Sequence, residues 1–431
     1  MHFAYLYKKS KRMKLRIFQI FTFLAFVNLS LQAQTKPLEE VDPPYFIKSI
    51  ELAGTNQGDQ FPVLKLGEPL KITFDDINGD EADYYYKIVH CNYDWTPSNL
   101  AKAQYMQGFD NQRIINYENS FNTLQLYSNY RLTIPNNLTT LLLTGNYMLS
   151  IYNDDDELMF SRKFIVYQNS VGVAAAVHRT RDLNTIQQNQ LIQFEINSPN
   201  MLLRNPEREV KVAILQNYNW KTAITNIKPQ YTIGKRLIYR YNTETSFPGG
   251  NEYFNFDNKE IRGGNVSIAS IELKDVYQNY LHTNATRALQ PYTFNPDING
   301  DFLINTIQGT DPSIEADYAM IHFSLENYME LPNSKIYVQG RFNNYAINEE
   351  NQLFYNSETD LYEAQLLLKQ GFYNYKYVVV NEKGEVDTTK ISGSNFETEN
   401  DYLIIVYFRK FGEIYDSIIG IGTTNSSVIK N

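Results

Sequence analysis

Short segments in which apolar and aromatic residues alternate with polar ones recur along this chain, and many are closed by turn-forming clusters. Tyr86 to Ser98 shows the pattern. Val89, Cys91 and Tyr93 alternate with polar neighbours, and Thr96-Pro97-Ser98 ends the run. Period-two alternation places one set of side chains on one face of a strand. Pro then breaks the strand, because it fixes φ and removes a backbone donor. The composition agrees: 34 Tyr and 25 Phe favour pleated, half-buried surfaces. No stretch carries the pattern of a long amphipathic helix. An all-β fold follows.

The strands fall into three blocks, expected as three tandem antiparallel β-sandwich domains of immunoglobulin-like type. The first occupies 34–168, with strands near Phe46–Leu52, Leu70–Phe74, Ala82–His90, Leu124–Leu132, Gly145–Tyr152 and Phe160–Tyr167. The second, at 169–291, has candidates at Val171–His178, Leu191–Asn197, Val210–Gln216, Leu237–Arg240, Glu252–Phe256 and Val266–Leu273. Residues 292–312, with Pro296, Gly300 and Gly309, read as a connecting segment. The third block, 313–431, has candidates at Ala319–Glu326, Ser334–Gln339, Leu353–Tyr355, Tyr362–Leu368, Gly371–Val380 and Leu403–Phe408.

Residues 1–33 are expected to be a signal peptide. Lys8, Lys9, Lys11, Arg12, Lys14 and Arg16 form a basic region without an acid, Ile17 to Leu31 is apolar, and Ala33 suits cleavage. Met13 serves equally well as a start. The apolar stretch falls short of the ~20 residues a membrane span needs, so no membrane insertion is expected. No cysteine stands at its end to carry a lipid. Without this segment the formal charge moves from -9 to -15, with 33 basic against 48 acidic residues. Such a chain repels nucleic acid. One cysteine cannot make an intramolecular disulfide, so packing must stabilise the fold.

The catalytic inventory is empty. Histidines at 2, 90, 178, 282 and 322 show no metal-ligand spacing, and no phosphate loop, dinucleotide loop or nucleophile elbow occurs. His90 and Cys91 are adjacent in a strand, so their side chains diverge and make no nucleophile–base pair. Acidic pairs are abundant, as any acidic surface makes them. No catalytic residue, metal ligand or cofactor is assigned. Asp-Ile-Asn-Gly-Asp occurs at 76–80 and again at 297–301. Its oxygens suit calcium, but Gly precedes the third of them and no bidentate Glu follows at the loop's distance. Asn-Gly favours a tight turn, the reading adopted at both places.

A longer order of residues carries a family likeness. His90-Cys91-x-x-x-Trp95-x-x-Ser98 is followed by Tyr105, Gly108, Phe109 and Ile115-x-Tyr117-x-x-Ser120-Phe121-Asn122-Thr123. Tyr127, Tyr130, Pro135, Gly145-Asn146-Tyr147 and Arg162-x-Phe164 come next. Towards the end stand Glu399-Asn400-x-Tyr402, Val406-Tyr407-x-Arg409 and Tyr415-Asp416 with Gly420. This series resembles the type IX secretion system plug protein family. The resemblance implies a non-enzymatic periplasmic protein at the inner face of the outer membrane. It would dock under the giant outer-membrane β-barrel translocon and close its pore when the cargo-collecting barrel partner is absent. The signature residues His90, Cys91, Trp95, Ser98, Gly108, Phe109, Tyr117, Ser120, Asn122, Thr123, Tyr127 and Tyr130 would then be structural.

The third block has a second likeness. Ile336-Tyr337-Val338-Gln339-Gly340-x-Phe342-Asn343-Asn344-Tyr345, with Tyr373-x-Tyr375-Lys376-Tyr377, resembles immunoglobulin-like glycogen-binding modules. There an aromatic after Phe-Asn stacks on sugar, and Tyr345 takes that place. The alternative function is therefore an exported carbohydrate-binding protein contacting glycan through Phe342, Asn343 and Tyr345. Packing or a protein contact by Tyr345 is the weightier reading, since likeness of fold does not carry function.

Overall fold

Aromatic strands must bury one face or both, and among the described residues they do so in three large hydrophobic cores. The computed structural model describes residues 36–54, 61–326 and 331–429; the expected signal peptide lies outside them. Two sheets enclose the first core. One runs, in hydrogen-bonded order, Ile47–Ala53, Leu70–Asp76, Ser128–Ile134 and Tyr117–Asn119. The other runs Val63–Lys65, Leu158–Tyr167, Gly145–Tyr152, Tyr85–Cys91 and Gln112–Arg113. Phe74 packs ring to ring with Tyr84, Tyr130 and Phe160 inside. Buried tyrosine hydroxyls reach backbone carbonyls: Tyr130 donates to Ala82 O at 2.6 Å and Tyr147 to Leu143 O at 2.7 Å. A core can therefore be rich in tyrosine without stranding polar groups.

The second core lies between two smaller sheets. Gly172–Arg179, Asn189–Asn197, Arg236–Tyr239 and Tyr231–Ile233 form one, with Ser246–Pro248 also on Asn189–Asn197. Val210–Gln216, Asp401–Phe408 and Ser417–Asn425 form the other. The third core sits inside one continuous sheet. Its path is Phe254–Asp257, Gly371–Val380, Lys335–Gln339, Gln352–Asn356, Leu361–Lys369, Tyr318–Glu326, Tyr277–Leu281 and Ile268–Leu273. Gln352–Asn356 pairs with a strand of each leaf, which folds the sheet over its own core.

The fold is thus all-β and of sandwich type, but the sandwiches are not strung in tandem. Val210–Gln216 runs antiparallel to Asp401–Phe408, with Val210 opposite Phe408. The third core, built from residues 256–391, is inserted within the second. The expected boundaries at 291 and 312 therefore do not follow the sheets. Residues 292–312 are no mere connection either, since Phe302–Ile304 pairs with Gly371–Val380. Alternation locates a strand without naming its partner. The Ser417–Asn425 strand was not among those expected, because Gly420 and Gly422 weaken its signal. A Cβ at either position would lie 2.6 or 2.5 Å from Val171 or Val173, so glycine permits this close approach. Helices among the described residues are single turns of three or four residues, and none is long and apolar enough to cross a membrane.

Candidate functional site

The segment after the Tyr85–Cys91 strand lies where the first and second cores meet. Tyr86, Ile88 and His90 face the first core, while Val89 is only half-buried. Of the alternating set Val89, Cys91 and Tyr93, only Val89 is not fully buried. Cys91 and Tyr93 are buried on the other side, where Tyr93 meets the second core. His90 does diverge from Cys91. Its Nδ1 accepts from Ser98 Oγ at 2.9 Å and its Nε2 donates to Thr144 O at 3.2 Å, a tautomer assigned from those partners. Burial holds its pKa down at about 4. A Cβ at Gly145 would stand 2.3 Å from His90 Nε2, so only glycine leaves room for the ring. Burial pushes the Cys91 thiol up to about 12, which leaves no thiolate for chemistry.

Tyr93, Trp95 and an ion pair complete this junction. Tyr93 N donates to Asp416 Oδ2 at 3.1 Å, and its ring packs edge-on to Tyr407. Tyr407 OH donates to Asn146 Oδ1 at 2.8 Å, and Asn146 Nδ2 returns to Asn92 O at 3.0 Å. Arg409 grips Asp416 with two bonds, at 2.9 and 2.6 Å, and donates to Asn92 Oδ1 at 2.9 Å. Such two-pronged geometry fixes orientation as well as charge. Trp95, held at a left-handed φ of 63°, meets Trp220 edge to face at 4.9 Å, with Lys163 Nζ 4.6 Å from its ring centroid.

The first and third cores meet at a second junction. Lys369 Nζ lies 2.7 Å from Asp75 Oδ2, and both side chains are buried. Tyr318 OH and Asn129 Nδ2 also donate to Asp75, each at 2.7 Å. Lys369 sits 4.0 Å from the Tyr127 ring centroid, and Tyr127 OH donates to Ala316 O at 2.8 Å. Leu124 N and Gln125 N donate to Asp317, and Phe121 N to Ile314 O. The signature segment from Ser120 to Tyr130 thereby pins one core to another. Ser120 Oγ accepts from Tyr127 N, Thr123 Oγ1 donates to Gln125 O, and Asn122 takes a left-handed φ of 59°. Tyr117 packs on Tyr130 and donates to Glu81. Asp75, Asp317 and Lys369 belonged to no sequence motif; a charged residue inside an apolar run was their one available signal.

Other signature residues face outward. Phe109 is 73% exposed, Ile115 80% and Phe121 66%. Gly108 holds the turn before Phe109, at φ 95°, where a Cβ would stand 1.9 Å from Leu138 O. Beside the third core, Tyr345 is only 5% exposed. Its backbone oxygen accepts from Lys221 Nζ at 2.8 Å, Asn344 donates to Glu40, and the Phe342 ring packs against Tyr373. Asn343 Nδ2 donates to Val338 O, and its Oδ1 accepts from Gly340 N. The place where a sugar would stack is occupied by protein.

Both Asp-Ile-Asn-Gly-Asp segments are turns, as expected. Asp76 Oδ1 accepts from Asn78 N, and Asp297 Oδ1 accepts from Asn299 N. Among the described residues no three His, Cys, Asp or Glu side chains group so as to hold a metal ion. His322 stacks on Tyr280 and bonds Gln278, a satisfied structural histidine.

The molecule is thus an all-β protein of interlocked sandwiches, with many of its distinctive residues at the junctions between them. Residues 47–168, the first sandwich, match the family model of the type 9 secretion system plug protein first domain. Over 90% of its length the chain is 32% identical to a hypothetical protein from Parabacteroides merdae; the whole of that crystal structure is covered, with a TM-score of 0.86. No curated protein matches. The first sandwich belongs to the type IX secretion system plug protein family. Membership implies association with the secretion apparatus and a periplasmic or envelope location.

Proposed function

We propose that this chain is a non-enzymatic periplasmic plug subunit. It binds the giant outer-membrane β-barrel translocon and seals the periplasmic end of its pore when the cargo-collecting barrel partner is absent. The observation that carries this reading is the family match over the first sandwich. The build of the molecule supports it. A stopper beneath a pore wide enough for folded proteins must hold its shape, and two ion-paired junctions tie the first sandwich to its neighbours. The exposed Phe109, Ile115 and Phe121 lie within the matched region and serve no core. Apolar side chains so placed are candidates for a protein contact, and this reading puts the translocon there.

Affinity isolation of the native translocon from cells lacking its barrel partner tests the proposal. This chain should be recovered in the complex, at the inner face of the outer membrane. A translocon isolated without it, in a strain that expresses the chain, contradicts the proposal.

A further inference from the structure

A cleft of about 180 Å³ opens between the second and third cores, where a single water needs roughly 10–15 Å³ on the same scale. Its walls are polar. Asn217 and Asn219 come from the loop after Val210–Gln216, Asn251 and Tyr253 from the crossing into the third core, and Ser392 from the crossing back. Lys376 enters from the Gly371–Val380 strand.

Some of these groups are already engaged inside the protein. Asn217 Nδ2 donates to Asn400 Oδ1, and Asn251 Nδ2 to Ser392 O, each at 2.8 Å. Two donors are different. Lys376 forms no ion pair among the described residues. Its ammonium lies 5.2 and 6.0 Å from the ring centroids of Tyr253 and Tyr345. Burial pushes its pKa down, opposed only by Tyr345. Ser392 is 3% exposed, and its Oγ has no partner among the described residues. Lys376 is half-buried; a cation without a counter-charge and a buried hydroxyl without a partner, on the walls of one polar cleft, together suit a bound anion.

We propose that this cleft binds a small organic monoanion, a carboxylate that also carries hydroxyl groups. Lys376 pairs with the carboxylate, and Ser392 Oγ donates to it. One uncompensated positive charge matches one negative charge. A phosphate dianion would leave its second charge unmatched by any cation of the cleft. Asn219, whose Oδ1 is taken by Lys221 N, keeps its side-chain amide for a ligand hydroxyl, and the Tyr253 ring supplies an apolar wall. Because both cores line the cleft, the ligand also bridges them.

Calorimetric titration of the full chain with D-gluconate, D-glucuronate and L-lactate tests the proposal, with D-glucose and inorganic phosphate as controls. Saturable binding of at least one carboxylate is expected, with none for glucose. Lys376→Met and Ser392→Ala should each weaken it by about tenfold or more. Ser392→Ala removes a single oxygen and decides the matter if Lys376→Met does not fold. No saturable carboxylate binding, a preference for phosphate, or undiminished affinity in Ser392→Ala overturns it. None of these outcomes depends on recovery of the chain with the translocon.

Discussion

Residues 90–98 and 108–121 belong to one signature, yet they differ in what they touch. In the first stretch His90, Cys91, Tyr93 and Trp95 are all buried, and their partners come from both the first and second cores. In the second, Phe109, Ile115 and Phe121 leave most of their surface in water. A buried aromatic is accounted for by packing, which stabilises by about 1.5–3 kcal/mol per side chain. An exposed one gains nothing comparable within the chain. One signature therefore holds two kinds of residue: those that build the body and those available to a partner.

Substitutions can break this distinction, and the largest effect is expected deep in a junction. Lys369→Met leaves Asp75 charged, buried and unpaired, and should destabilise by roughly 3–5 kcal/mol in urea unfolding. Replacing both partners with apolar residues should recover much of that loss. If Lys369→Met is near neutral, the junction does not hold the body together.

His90 comes next. Its pKa lies at about 4 in the fold against an ordinary 6.5. As pH falls below 6.5 the unfolded chain takes up a proton that the folded chain refuses, so stability falls towards pH 4, by up to about 3 kcal/mol. Glu252 acts with the opposite sign. Burial raises its pKa from 4.5 to about 7, so its contribution weakens stability as pH rises through that interval. The stability of wild type minus that of His90→Gln isolates the first effect and should rise from pH 4 to 6.5. A flat difference would mean that His90 is not held neutral.

Smaller effects sharpen the comparison. Cys91→Ala should cost roughly 1 kcal/mol, as modest core changes do. The native thiol should resist alkylation until the protein unfolds; rapid labelling would place it at the surface. Phe109→Ser, Ile115→Ser and Phe121→Ser should each shift stability by no more than about 0.5 kcal/mol. At least one of them should still reduce recovery of the chain with the translocon.

Much of the fold was legible because alternation is local. Gly145–Tyr152, Val210–Gln216 and Gly371–Val380 lie where their sequence pattern puts them. The insertion of the third core was not legible. Nothing in Val210–Gln216 says that its partner lies at Asp401–Phe408. The burial of Cys91 and Tyr93 was legible from alternation, but not that Tyr93 is covered by another core. The ordered series marked many of the junction residues, including Asn146, Tyr407, Arg409 and Asp416. It could not sort buried from exposed, since Phe109 and Tyr105 look alike in sequence and only one is covered.

Photo-crosslinking in living cells addresses the two kinds of residue together. A crosslinkable amino acid would replace Phe109, Ile115, Phe121 or Trp95, one at a time, in cells lacking the translocon's barrel partner. A crosslink to the translocon from at least one of the first three positions, and none from Trp95, is the predicted result. Crosslinks from Trp95 alone, or from none of the four in a chain that co-purifies with the translocon, would contradict this division of the signature.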